Sequence, residues 1–147
     1  MDQPSSLQYL FNRDLDRLKA EVQAYENEPD IWIVKNEIKN SAGNLCLHLL
    51  GNLNHFVGHV IGRTDYKRDR EFEFSGKVSR SELINAIEKT KHTVQNSIAE
   101  ISEEQWNEPF PLQLFDTDYS YTTMLIHLSG HLNYHLGQIN YHRRLVK

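Results

Sequence analysis

The sequence predicts an all-α fold: a four-helix bundle forming a single domain over residues 1–147. Three observations carry that expectation. Four stretches repeat apolar residues at helical period rather than alternating them. Capping residues and prolines mark where those stretches begin and end. No segment offers a partner pattern for a sheet, although Phe72 and Phe74 lie in a short aromatic-rich stretch of the kind strands use. At 147 residues the chain is long enough to bury a sizeable core.

The first helix is expected to open at Ser5, with Gln8 three residues on as a capping box, and carries Leu7, Phe11, Leu15, Leu18 and Val22 on one face. Glu28-Pro29 ends it, and a connector follows through Trp32 and Lys39. The second runs from about Ser41 to Gly62, with Leu45, Leu49, Leu53, Phe56 and Val60 on a wide apolar face. Its glycines each cost about 1 kcal/mol of helix propensity relative to alanine, so close packing or a ligand should account for them. The charged stretch 63–78 reads as a long connection, and Lys67-Arg68-Asp69-Arg70-Glu71 within it as a solvated loop of mixed sign. The third helix starts with a capping box, Ser79 and Glu82, and continues through Leu83, Ile87, Val94, Ile98 and Ile101. Ser102 and Gln105 repeat the signal and predict a short turn holding Trp106, after which Pro109 and Pro111 forbid continuation. The fourth helix runs from about Tyr119 to Val146.

Composition excludes several roles. A net charge of −4 gives no electrostatic footprint for nucleic acid. No apolar run approaches the roughly 20 residues that span a bilayer, so no membrane partner is expected. The first residues lack the basic and apolar regions of a signal peptide, and a single cysteine forms no disulfide framework. A cytoplasmic location is the expectation. Cys46 lies on the side of the second helix away from His48 and reads as a small core residue.

The most informative feature is the segment His127-Leu-Ser-Gly-His131-Leu-Asn-Tyr-His135-Leu-Gly-Gln138. Residues four apart share a helical face. His131 and His135 can therefore aim two imidazoles at one point, as a divalent metal requires, and the distant His48 can complete a three-ligand site. On spacing alone His127 could pair with His131 as readily as His135 does. His55, His59, His92 and His142 read as ordinary boundary residues. Leu132 follows His131, so the glutamate of a His-Glu-x-x-His protease helix is missing. No acidic residue stands beside the histidines in sequence, and none is identified as catalytic. Gln138 and Asn52 lie within about a turn of a proposed ligand and could orient it. Tyr134 could donate a proton, although packing is its more ordinary role.

His131-x-x-x-His135-x-Gly137-Gln138-Ile139 near the C-terminus, with His48 in Leu47-His48-Leu49 midway along the second helix, resembles the DinB-like superfamily. The stretch Asn40 to Leu53 is similar to one bacterial branch of it. The resemblance covers nearly the whole chain. It implies an up-down-down-up bundle and a divalent metal held by three histidines, which here match His48, His131 and His135. Relatives include thiol-dependent S-transferases, a mycothiol-dependent maleylpyruvate isomerase and proteins described as metal-dependent hydrolases.

Three neutral histidines leave a fourth position open, the arrangement of catalytic zinc sites. The expectation is a metal-dependent enzyme that transfers a low-molecular-weight thiol to an electrophilic small molecule, with zinc or nickel as the metal. The alternatives are a metal-dependent hydrolase and a non-catalytic, stress-related metal-binding or interaction protein. Trp32, Trp106 and several tyrosines suggest more apolar surface than one core needs, hence a homodimer.

Overall fold

The computed structural model describes all 147 residues and is helical throughout, with a lone Pro109–Ser120 bridge as its β pairing. Helix α1 spans Gln3–Ala24 and begins ahead of the expected Ser5. The Asp2 carboxylate accepts from the Ser5 backbone N–H at 2.9 Å, and a proline in the first turn costs no helical bond. Gln8 is therefore free for another task. Its Nε2 donates to the Gln95 carbonyl, and Gln95 Nε2 donates back to the Gln8 carbonyl.

Helix α2 (Ala42–Leu53) is capped by Ser41, whose hydroxyl accepts from the Asn44 N–H. It passes directly into a π-helical stretch, Asn54–Ile61. The wider turn there, with its i→i+5 bonding, breaks the 100° phase that would otherwise keep His55 and His59 in line with His48. The cost of the glycines is explained by close packing: a side chain at Gly43 would meet Trp32, at Gly51 Glu73, at Gly58 Thr93 and at Gly62 Ser97.

The stretch 63–78 is more than a connection. It holds a short helix, α3 (Arg70–Ser75), capped by Asp69, so Phe72 and Phe74 are helical and not strand residues. Helix α4 (Arg80–Ala99) opens on the expected capping box of Ser79 and Glu82. Ser102 and Gln105 exchange the reciprocal bonds their spacing predicts, just ahead of a single 3-10 turn, Gln105–Asn107, that buries Trp106. Helix α5 (Tyr121–Leu145) is capped by Ser120.

Side-chain pairings fix the directions. Along α1 and α4 they run in opposite order: Gln8 with Gln95, Asp16 with Lys91, Lys19 with Glu88. Along α1 and α5 they run in the same order: Gln3 with Thr122, Asp14 with Asn133, Glu21 with Asn140. Asn54 meets Thr90 and Gly62 abuts Ser97, so α2 and α4 are parallel. The topology is up-down-down-up.

One core unites all four long helices, with Phe11, Leu15, Leu18, Leu49, Leu83, Ile87, Leu125 and Leu128 fully enclosed. Of the aromatic residues behind the dimer expectation, Tyr134 and Tyr141 are exposed and the two tryptophans are packed. Trp106 lies in that core and Trp32 packs over Gly43. Cys46 is buried as expected, and burial pushes its thiol up to about 12. No helix is long and apolar enough to cross a membrane.

Candidate metal centre

The inward faces of α2 and α5 bring three histidines together. Leu45, Leu49 and Leu53 turn α2 toward the core and leave His48 at the edge of that face, buried. Leu128, Leu132, Leu136 and Ile139 do the same for α5, leaving His131 and His135 half-buried along one side, one turn apart. One ring nitrogen from each of His48, His131 and His135 lies within 4.8 Å of the other two, a group that could hold a metal ion.

Hydrogen bonds at the far side of two rings decide which nitrogen faces inward. His48 Nδ1 donates to Glu73 Oε1 at 3.0 Å, and His135 Nδ1 donates to Gln138 Oε1 at 2.7 Å. Each ring is thereby held with its Nε2 lone pair free. His48 Nε2 stands 3.2 Å from His131 Nε2. Two nitrogens on a tetrahedral zinc, each about 2.0–2.1 Å from it, would be about 3.3–3.4 Å apart. The spacing of this pair fits a divalent cation, and without one a single proton lies between the two nitrogens, while the His135 nitrogen stands within 4.8 Å of both. His131 Nδ1 is buried with no hydrogen-bond partner.

The electrostatics favour the neutral form of His131 and His48, the form that ligation requires. Burial pushes His131 down to about 4, and the neighbouring His135, His48 and His127 rings and Arg68 push the same way. His48 is also lowered by burial, against the opposing pull of Glu73.

The remaining histidines stand elsewhere. His127 is exposed, with its ring edge-on to Phe115 at 4.9 Å, and is outside the group. His55 stacks on His59, whose Nδ1 donates to the Thr64 carbonyl. His92 is exposed. His142 is not a boundary residue at all: it is buried, accepting from the Tyr25 hydroxyl at Nδ1 (2.6 Å) and donating from Nε2 to the Ile33 carbonyl (2.8 Å). Asn52 is buried and makes no hydrogen bond to the three histidines, its Oδ1 unpartnered. Tyr134 is exposed, its ring centre 5.2 Å from that of His135.

The residue that sequence reasoning missed is Glu73. It sits 25 positions from His48 in a charged tract that reads as solvated, yet it is 3% exposed. Its one trace in the sequence is indirect: Gly51, three residues after His48, where the helix gives up a side chain to admit the carboxylate.

His135 and Gln138 also line an open cleft of about 1050 Å³ between α5 and the 36–40 connector, walled by Ile38, Leu45, Tyr134 and Tyr141. The protein is thus an up-down-down-up helical bundle in which a three-histidine group that could hold a metal ion lies between α2 and α5, beside an open cleft. The DinB superfamily model matches residues 10–139, and the chain belongs to that superfamily. No curated protein matches it significantly.

Proposed function

We propose that the protein is a metal-dependent enzyme that transfers a low-molecular-weight thiol to an electrophilic small molecule, with His48, His131 and His135 as ligands to one zinc or nickel ion. The observation that carries this reading is the three-nitrogen group lying at the edge of the cleft lined by His135 and Gln138. A bound divalent metal supplies Lewis acidity there, lowering the pKa of a thiol or water at the open fourth position.

The chain's own residues do the rest. Glu73 and Gln138 hold two rings in the ligating orientation. Leu45, Ile38, Tyr134 and Tyr141 offer an apolar wall for the body of the electrophile, with Asn36 and Lys39 at the polar rim. In the transfer the sulfur forms a bond to the electrophilic carbon, the thiol proton leaves to solvent, and the displaced group departs with its electron pair.

Turnover of a small thiol with a model aryl or alkyl halide, measured for zinc- and nickel-loaded and metal-free protein, tests the reading. Metal-dependent thioether formation above the uncatalysed rate supports it. Ester or amide cleavage without any thiol dependence would make the protein a hydrolase. No turnover of either kind by the loaded protein would leave a non-catalytic metal-binding module.

A further inference from the structure

We infer that Glu73 is a positioning residue for the metal centre, and that through it the 63–76 segment is clamped onto His48, so that docking of this segment and metal binding reinforce each other. The inference rests on the three-histidine reading and extends it to a part of the chain that supplies no ligand.

Glu73 is a buried carboxylate with every near partner accounted for. Arg68 binds it through two nitrogens, Nε to Oε2 at 2.9 Å and Nη2 to Oε1 at 3.1 Å, while His48 Nδ1 donates to Oε1 at 3.0 Å. Both side chains of that ion pair are almost fully shielded from water. A charge so placed is tolerated because it is paired and hydrogen-bonded. Neither His131 nor His135 has a carboxylate partner, so Glu73 is the one anion bonded to the ligand set.

The segment is built to deliver it. The Asn44 side-chain amide donates to the Glu73 and Gly76 carbonyls at 3.1 and 2.9 Å, pinning the end of α3 to α2. The Ser41 hydroxyl holds Asn44 in place by donating to its Oδ1 at 2.7 Å. Phe74 lays its ring 4.9 Å from that of His48, and the Arg68 guanidinium covers Phe56. Gly51 leaves the space the carboxylate fills, and a methyl there would overlap it.

A carboxylate on the outer nitrogen of a metal-binding imidazole fixes its tautomer and raises its basicity, and losing such a partner costs about 10–100-fold in metal affinity. A cation on Nε2 polarises the Nδ1–H and strengthens its bond to Glu73. By reciprocity, segment docking raises metal affinity by the factor that metal raises docking.

The test is a zinc competition titration against a chromophoric chelator, with the absorption spectrum of the Co(II)-loaded protein read in parallel. It compares wild type with Glu73→Gln, Gly51→Ala and Asp14→Asn. Gly51→Ala displaces the flexible end of the carboxylate while leaving the Glu73 side chain intact, and the gain in helix propensity offsets part of the cost, so it removes the bond to His48 by a second, independent route. Asp14 is an equally buried, arginine-paired carboxylate between α1 and α5 that bonds no candidate ligand, and so controls for loss of a buried charge. The expected result is zinc affinity about 10–100-fold weaker in Glu73→Gln and Gly51→Ala with altered Co(II) bands, and wild-type affinity in Asp14→Asn despite a lower melting temperature. Tryptic cleavage within 63–76 should also slow on adding zinc to wild type and not to Gly51→Ala. Wild-type zinc affinity and an unchanged Co(II) spectrum in Gly51→Ala would overturn the inference while leaving the three-histidine site standing. Absence of zinc binding by wild type would remove both.

Discussion

Acid should destabilise the metal-free protein in a way that one histidine accounts for. The His131 imidazole is pushed from its ordinary 6.5 down to about 4, chiefly by burial. Geometry supplies the reason. His48 Nε2 and His131 Nε2 are 3.2 Å apart and share a single proton, so a second would set two N–H donors face to face. An unfolded chain binds that proton at about 6.5, whereas the fold resists it until about 4. Stability from this group is therefore complete above pH 6.5 and is lost as pH falls from there toward 4. Unscreened, the shift corresponds to roughly 3 kcal/mol at about 1.4 kcal/mol per unit. His131 is only half-buried, and solvent screening brings the expectation to about 1–2 kcal/mol. The assay is urea denaturation in the presence of a chelator from pH 7.5 to 4.5, on wild type and His131→Gln. The variant should lose about 1–2 kcal/mol less over that interval. Equal losses in the two proteins would refute the argument.

Further outcomes follow from the same structure. The metal-free protein should stay helical and melt cooperatively, because its core joins all four long helices without help from the site; a random-coil circular dichroism spectrum that recovers on adding zinc would make the metal a structural staple. Tyr25→Phe removes the donor to buried His142 Nδ1 and should cost about 1–3 kcal/mol with zinc affinity unchanged; a loss of zinc binding would tie that end of α5 to the site. A homodimer remains the expectation, with exposed Tyr9 and Ile126 outside the cleft among the apolar residues left uncovered. Light scattering that returns the monomer mass at high micromolar concentration would reject the dimer.

Much of this molecule was legible because it follows local rules. Helical period set the four long helices, and the Ser79/Glu82 cap and the reciprocal Ser102/Gln105 bonds fell where their spacing put them. One-turn spacing brought His131 and His135 together. Their link to His48 came through family resemblance, since nothing local joins residues 83 positions apart. What stayed hidden depended on tertiary context. A charged side chain such as Glu73 reads as solvated unless its burial is known, and burial here depends on Arg68, Asn44 and the gap at Gly51. His142 was hidden for the same reason, its partners Tyr25 and Ile33 lying more than a hundred positions away. The π-helical turn at 54–61 has no composition that distinguishes it from the helix it extends. At α1, Asp2 with a first-turn proline supplied a cap ahead of the capping box expected at Ser5.

The central claim is that His48, His131 and His135 together hold one divalent metal, and elemental analysis after mild chelation tests it most directly. Wild type loaded with zinc or nickel should retain about one equivalent per chain. His48→Ala, His131→Ala and His135→Ala should each lose it, and His59→Ala, whose ring bonds the Thr64 carbonyl away from the group, should keep it. Full metal retention in all three single variants would contradict the account.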